Sequence, residues 1–148
     1  MKGKIVAKVG ERGKVAEKTV QKVLEAWNTK HETFAFHRLP DARSAGGRLG
    51  AQPSDFLFYE GDYGGFIEVK ETEHPSRLAK DKISQLPILR KFSLAGARSI
   101  VIVYHSTIKL WRIARLEWFE GTPASWDLSA LPTFASAEAA MTSEISCR

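Results

Sequence analysis

A short apolar run in the second half of the chain constrains the fold more than any other feature. Residues 98–105 read RSIVIVYH, so that Arg98 and Ser99 are followed by apolar and aromatic residues without polar alternation. A strand with one solvated face alternates apolar and polar residues, whereas a strand covered on both faces is apolar throughout. The run therefore predicts an interior strand of a sheet that carries further structure on both faces.

The rest of the 148-residue chain supplies elements that would cover such a sheet. A helix is predicted from Gly10 onwards, because Ala16, Val20, Val23, Leu24 and Trp27 recur at helical spacing. Aromatic content, alternation and flanking turn residues predict the other strands. The expected strands are 33–39, 56–59, 66–71, 98–105 and 107–113, with helices at 76–95 (Pro87 kinking or restarting it) and around 135–145. The order α-β-β-β-α-β-β predicts a single mixed α/β domain, a central mixed β-sheet flanked by helices.

Composition narrows the classes of partner. The formal net charge is +5, and residues 1–30 hold eight Lys or Arg against three Glu, so residues 1–9 are expected to form a basic arm. This charge favours nucleic acid, although a solubilising arm would look the same. Cys147 is the only cysteine, which excludes a disulfide framework and a thiolate zinc site within one chain. With no signal peptide or long apolar run, a cytoplasmic location is expected.

Two carboxylates and a lysine on neighbouring predicted strands carry the chemistry. Glu68 and Lys70 are two residues apart in FIEVKE, so they share one face, about 7 Å apart along the strand. Asp55 begins the preceding strand, and a tight hairpin connection would bring it beside Glu68. Two carboxylates with a backbone carbonyl suit Mg²⁺, which would assist phosphodiester hydrolysis, and the lysine would orient water or stabilise charge. The alternative is a pair of surface carboxylates with Lys70 as an ion-pair partner.

Other polar residues are candidates for supporting roles. Glu17 lies on the edge of the apolar stripe of the first helix, so it can lean towards the sheet or remain a solvated flank. Gln85 shares a predicted helical stripe with apolar residues, and could hydrogen-bond a metal-site water or a strand carbonyl. Candidates for DNA contacts are His37 and Arg38 at a strand end, Arg43 and Arg48 in a Gly-rich loop, and Thr72 beyond Lys70. The alternatives are an ordinary strand-end pair for His37 and Arg38 and a solvated loop for the two arginines. Trp111 and Trp118 are candidates for a dimer surface.

The sequence also resembles a known family. PSD at 53–55 followed by EVK at 68–70 resembles the PD-(D/E)XK nuclease motif, apart from Ser54 standing between the proline and the aspartate. GKVAEKTVQKVLEAW resembles the first helix of Holliday-junction resolvases. GGFIEVKET followed by ISQLPILRKFSLAGARSIVIVYH is similar to the RecU branch and its phage relatives. The resemblance covers roughly residues 10–115 and leaves 116–148 as an unmatched C-terminal extension.

The resemblance implies a restriction-endonuclease-like core and a homodimer that cuts four-way DNA junctions in recombination and repair, in a bacterial cell or a phage-infected host. It implies Mg²⁺, with Mn²⁺ as a substitute, held by Asp55, Glu68 and the Val69 carbonyl, with Glu17 as a further ligand either directly or through water. Lys70 would act as catalytic base or electrostatic stabiliser. Two alternatives remain open: a restriction-like or repair endonuclease that cuts or nicks duplex, and a non-catalytic DNA-binding protein on a nuclease fold.

Overall fold

The computed structural model describes residues 9–40, 54–121 and 123–147, with side chains from residue 15 onwards in the first helix. Its elements in chain order are α1 (Val9–Lys30), β1 (Phe34–Arg38), β2 (Phe56–Glu60), β3 (Tyr63–Thr72), β4 (Arg77–Ala79), a 3₁₀ turn (Lys80–Lys82), α2 (Leu86–Leu94), β5 (Ile100–His105), β6 (Leu110–Arg115), a second 3₁₀ turn (Leu116–Trp118), β7 (Ser125–Asp127) and α3 (Ala137–Glu144).

The main sheet has five strands in the order β1-β2-β3-β5-β6. The pairs β1/β2, β2/β3 and β5/β6 are antiparallel, and β3/β5 is parallel. The predicted interior strand is confirmed, because β5 lies between β3 and β6 and its residues 100–103 are at most 3% exposed. The parallel pair requires a crossover between β3 and β5, which β4 and α2 provide.

Each face of the sheet is covered by its own apolar cluster. On one face α1 and α3 pack over inward-facing residues of the strands, such as Phe56, Ile67 and Ile102. On the other face α2, the second 3₁₀ turn and the β4–β7 pair pack over Phe66, Val101 and neighbours. The α/β prediction of a central mixed sheet flanked by helices is therefore confirmed. The segment after residue 115 contributes to both layers, because α3 contacts β6 and α1 while β7 pairs with β4.

The predicted helix over residues 76–95 is wrong in its first half. Residues 77–79 form β4, which pairs with β7 through Leu78 and Trp126, and Leu78 is fully buried there. The helix begins only at Leu86, with Pro87 in its first turn, where the missing N–H of proline is harmless. A helix reaching back to residue 76 would need that N–H for its ladder. Gln85 is thus the N-cap of α2, and its side chain makes no capping bond.

Smaller differences concern the ends of elements. The strand predicted at 107–113 begins at Leu110, because Lys109 adopts a left-handed conformation (φ 53°) in the turn after β5. The C-terminal helix predicted around 135–145 is present as Ala137–Glu144, with the Ser136 hydroxyl accepting a hydrogen bond from the Ala139 N–H as its N-cap. None of the helices described in residues 9–147 is long and apolar enough to cross a membrane.

Candidate active site

Register places Asp55 beside Glu68. The β2–β3 hairpin turns at Gly61 and Asp62, and Phe56 pairs with Ile67 in antiparallel register. Asp55 precedes β2 by one residue, so it lies opposite Glu68. A hydrogen bond holds Asp55 in this position, because the N–H of Val69, the residue after Glu68, donates to Asp55 Oδ2 at 2.8 Å. The hairpin expected from the Gly-rich turn thus brings the two carboxylates together.

Glu68 is held by two donors although it is almost completely buried, with 1% of its side chain exposed. Lys70 Nζ lies 2.7 Å from Glu68 Oε1, so the two residues share one face as alternation predicts. The Ser54 hydroxyl lies 2.9 Å from Glu68 Oε2 and 2.7 Å from the Ile67 carbonyl oxygen. A carboxylate at this depth must be hydrogen-bonded to remain charged, and both of its oxygens have partners here.

Asp55 is strongly perturbed by the same surroundings. Burial raises the pKa of Asp55 from 3.8 to about 7, with further upward contributions from the nearby charges of Glu68 and Glu17. The Val69 N–H and the Lys70 ammonium lower the pKa of Asp55, but they do not offset burial and repulsion. A site in which two carboxylates raise each other's energy favours a bound cation, which relieves both charges at once.

The donor set fits a divalent cation with few protein ligands. Asp55, Glu68 and the Val69 carbonyl carry hard oxygen atoms, the kind of donor that Mg²⁺ prefers when water completes its shell, so these groups could hold such an ion. Glu17 is close enough to raise the pKa of Asp55, but its Oε1 is paired with Arg38 Nε at 3.3 Å. Within the described ranges no three His, Cys, Asp or Glu side chains converge on one point. Glu17 therefore does not complete a preformed cage with Asp55 and Glu68.

Three of the five candidates for DNA contacts lie at the end of the sheet that carries Asp55. His37 and Arg38 are exposed at the end of β1, which stays paired with the Asp55 segment through the Leu39 N–H and the Asp55 carbonyl at 2.9 Å. Thr72 ends β3 on the same edge, where its hydroxyl accepts a hydrogen bond from the His74 N–H at 3.2 Å. Arg43 and Arg48 lie outside the described residues. Gln85 caps α2, and no described contact joins it to Asp55 or Glu68.

Sequence reasoning missed two groups of polar residues around the site. One is Ser54, which in the sequence stands out only as a departure from the family motif. The other is the buried pair of His105 and Arg112, which faces the segment that follows β3. His105 Nδ1 lies 2.7 Å from the His74 carbonyl oxygen, and Arg112 Nη1 lies 3.1 Å from His105 Nε2 and 2.6 Å from the Pro75 carbonyl oxygen. The only sequence signal for it was a histidine closing an apolar run.

Burial lowers the pKa of His105 below 6.5, and the neighbouring Arg112 charge lowers it further. A neutral ring explains both contacts, because Nδ1–H then donates to the His74 carbonyl while Nε2 accepts from Arg112. The pair fastens the chain leaving β3, two to three residues beyond Thr72, to β5 and β6. It therefore fixes the shape of the edge on which Lys70 and Thr72 lie.

A mixed five-stranded sheet with a parallel β3/β5 pair, flanked by helices, is a restriction-endonuclease-like fold. No protein-family model matches the chain, and no curated protein sequence matches it significantly. Among solved structures the chain is similar to Hjc, a Holliday junction resolvase from the archaeal hyperthermophile Archaeoglobus fulgidus. The TM-score is 0.52 and the identity 24%, and the match covers 88% of this chain and 96% of that chain. This likeness confirms the predicted fold.

Proposed function

We propose that the protein is a metal-dependent, structure-selective DNA endonuclease, a Holliday-junction resolvase that hydrolyses phosphodiesters at branched DNA. The observation that carries the proposal is the arrangement of Asp55, Glu68 and Lys70 on a fold shared with a resolvase: the Val69 N–H bonds Asp55 across the β2–β3 hairpin, and Lys70 contacts Glu68 within β3. A basic chain with a net charge of +5 suits a polyanionic substrate.

Each residue has a role that its surroundings support. Asp55, Glu68 and the Val69 carbonyl would hold Mg²⁺ or Mn²⁺, which would withdraw charge from the scissile phosphate and acidify a water molecule. Lys70 Nζ, fixed 2.7 Å from Glu68 Oε1, would orient the attacking water or stabilise charge developing on the phosphate. Glu17 would contact the metal ion through a water molecule and not directly, because its carboxylate is paired with Arg38.

The substrate would lie along the edge where β1 ends, β2 begins and β3 ends. His37 and Arg38 are exposed on one side of Asp55, and Thr72 lies on the other, so backbone phosphates could be contacted on both sides. Arg43 and Arg48 belong to the segment that joins β1 to β2 and are proposed as further phosphate contacts. A DNA substrate of this kind would place the activity in the cytoplasm of a bacterial or phage-infected cell.

Two copies of the chain would act together. A four-way junction has twofold symmetry, and each chain carries one catalytic centre, so paired cuts require two centres related by a twofold axis. Helix α2 offers a surface for this pairing, because Ile88 and Phe92 lie one turn apart and are 39% and 43% exposed. Of the two tryptophans considered for a dimer surface, Trp111 is buried at 5% exposure, so that prediction is wrong for it, while Trp118 remains 36% exposed.

The test is cleavage of a four-way junction with immobile arms, compared with linear duplex of the same sequence, in Mg²⁺ and in EDTA. We expect paired nicks near the branch point, no cutting in EDTA, and no cutting by Asp55→Asn. The Asp55→Asn variant should still bind the junction, because it loses a charge that repels phosphate. Junction binding without cleavage by the native protein would instead favour the non-catalytic DNA-binding protein.

The duplex alternative gives a different pattern. A restriction-like enzyme would cut long linear duplex into discrete bands, and a repair nickase would relax supercoiled plasmid without preferring the junction. The observation that favours the resolvase over both is the fold match, which extends over 96% of the resolvase chain and leaves little of it unmatched.

A further inference from the structure

Ser54 interrupts the nuclease motif between Pro53 and Asp55, and the structure gives it a contact that an ordinary loop serine would not have. Its side chain is buried, with 6% of the residue exposed. Its hydroxyl lies 2.9 Å from Glu68 Oε2, the oxygen that Lys70 does not contact. The Glu68 carboxylate is thus contacted at one oxygen by the Lys70 ammonium and at the other by the Ser54 hydroxyl.

The same hydroxyl has a second acceptor within reach, the Ile67 carbonyl oxygen at 2.7 Å. A serine hydroxyl has one proton, so it can donate to only one of these acceptors at a time. A carboxylate is the stronger acceptor when it is charged, because charge-assisted hydrogen bonds are about twice as strong as neutral ones. Ionised Glu68 is therefore the favoured acceptor of the Ser54 hydroxyl, with the Ile67 carbonyl oxygen as the alternative.

We infer that Ser54 is a positioning residue for Glu68, which holds the carboxylate in the orientation that receives the divalent cation. This inference rests on the proposed function, because it assigns Ser54 to the metal centre of that nuclease. Lys70 cannot do this alone, since a lysine that engages the attacking water or the phosphate loosens its hold on Glu68 Oε1. Ser54 lies next to Asp55 in the chain, so the element that carries one carboxylate also orients the other.

The competing explanation is structural: Ser54 would only tie the start of β2 to the backbone of β3. The chain contains a matched control for this role. Ser99 is fully buried, and its hydroxyl accepts a hydrogen bond at 3.2 Å from the N–H of Phe66 in β3, a bond that involves neither carboxylate. Ser99→Ala removes a buried serine bond to β3 without touching Glu68, so it reports the structural cost alone.

The experiment compares native protein, Ser54→Ala, Ser54→Thr and Ser99→Ala. Mg²⁺ binding is measured by calorimetry without DNA, and single-turnover cleavage of a four-way junction is measured against Mg²⁺ concentration. Loss of a hydrogen bond to a metal ligand commonly weakens metal binding 10- to 100-fold. We expect Ser54→Ala to raise the Mg²⁺ dissociation constant about 10-fold or more, Ser54→Thr to restore it to within about threefold, and Ser99→Ala to leave it unchanged.

The two readouts separate this inference from the proposed function. Native protein that binds Mg²⁺ but cuts no DNA contradicts the nuclease, while the difference between Ser54→Ala and Ser99→Ala still decides the role of Ser54. Equal Mg²⁺ binding by native protein and Ser54→Ala, or no binding by either, overturns the positioning role even if cleavage is observed. Should Ser54→Ala fail to fold, Ser54→Cys, which keeps the volume and holds only a weak donor, takes its place with the same expected direction.

Discussion

Asp55 is a residue whose chemistry and whose contribution to stability oppose each other. Burial and the charges of Glu68 and Glu17 raise its pKa to about 7, so its ionised form is disfavoured in the folded, metal-free protein. The contribution of Asp55 to the free energy of unfolding is therefore fully present below its unfolded pKa of 3.8 and is lost as the pH rises through about 7. The charge that the proposed reaction needs is the charge that folding alone does not favour.

Asp55→Asn should consequently stabilise the metal-free protein. Asparagine keeps an acceptor for the Val69 N–H but carries no charge, so at pH 8 we expect the free energy of unfolding to rise by roughly 2 to 4 kcal/mol. The measurement is urea unfolding in EDTA at pH 5 and pH 8, with a smaller gain expected at pH 5, where the loss that begins above pH 3.8 is incomplete. Asp127→Asn is the control, because the pKa of exposed Asp127 is lowered by hydrogen bonds from Ser129 and it should not gain stability. If Asp55→Asn and the native protein have the same free energy of unfolding at pH 8, the raised pKa of Asp55 is contradicted.

Substitution of Lys70 is expected to affect the affinity for Mg²⁺ and the rate of DNA cleavage in different ways. In Lys70→Met the ammonium no longer competes with a cation for Glu68 Oε1, so Mg²⁺ should bind at least as tightly as in the native protein. Cleavage should nevertheless fall by about 100-fold or more, because the group that orients water or stabilises charge is gone. Calorimetry and single-turnover cleavage measure the two effects. Lys82→Met, which removes an exposed lysine 3.5 Å from the Glu71 carbonyl, should alter neither.

At the scale of elements, the approach of β3 to the start of β5 depends on Gly65. A Cβ at this position would lie 2.5 Å from the carbonyl carbon and oxygen of Arg98, a backbone neighbour that cannot move aside alone. Gly65→Ala should therefore lower the free energy of unfolding by about 1 to 3 kcal/mol. Gly61→Asn is the control in the same hairpin, because Gly61 has φ 59° with open space around it and asparagine tolerates that conformation. Chemical denaturation compares the two, and equal stability would argue against the close approach.

The buried His105 makes the edge beyond β3 sensitive to acid. Because the pKa of His105 is lowered below 6.5 in the folded protein, its contribution to stability is present above pH 6.5 and is lost as the pH falls through the folded pKa. His105→Gln keeps a donor for the His74 carbonyl and an acceptor for Arg112 but cannot be protonated. The stability difference between native protein and His105→Gln should therefore shrink from pH 7.5 to pH 5. Urea unfolding at the two pH values tests this, and a difference that stays constant would contradict the lowered pKa of His105.

Sequence periodicity predicts the elements whose buried face can be recognised from the pattern of apolar residues within the element itself. The apolar run of β5, the alternation that puts Glu68 and Lys70 on one face, and the stripe of α1 are all local patterns. The pattern of residues 77–79 does not indicate a strand, because β7, the strand with which they pair, lies about 50 residues away in the chain. Tertiary pairing of this kind overrides a local pattern.

The candidate active site was likewise predictable only where local patterns place its residues. Asp55, Glu68 and Lys70 follow from two strands and one turn, whereas Ser54 required the register of β2 on β3 and the depth of Glu68. The ion pair of Glu17 with Arg38 required the position of α1 relative to β1. These are relations between elements, and no residue pattern within one element encodes them.

For the whole molecule, the twofold pairing of chains is the property most open to test. Ile88→Glu places a charge on the exposed α2 face, so the proposed dimer should dissociate at concentrations where the native protein pairs, with its Kd raised by at least about 10-fold. Sedimentation velocity measures the change, and junction cleavage should shift from paired cuts to single nicks. Val15→Glu, at a 61% exposed apolar position on α1, is the matched control and should leave the mass unchanged. A native protein that is monomeric at all concentrations would exclude the pairing.

The interior position of β5 has a consequence for the protein before it is folded. Residues 100–104 combine β-branched and aromatic side chains with no charge and no proline, which is the composition of segments that self-associate into intermolecular sheets. In the finished sheet both edges of β5 are occupied, by β3 and by β6. β3 precedes β5 in the chain, and β6 follows after the short turn at residues 106–109, so a hairpin can shield one edge within microseconds of release. We therefore expect this short turn to limit aggregation of the newly made chain until the crossover through α2 brings β3 to the other edge of β5.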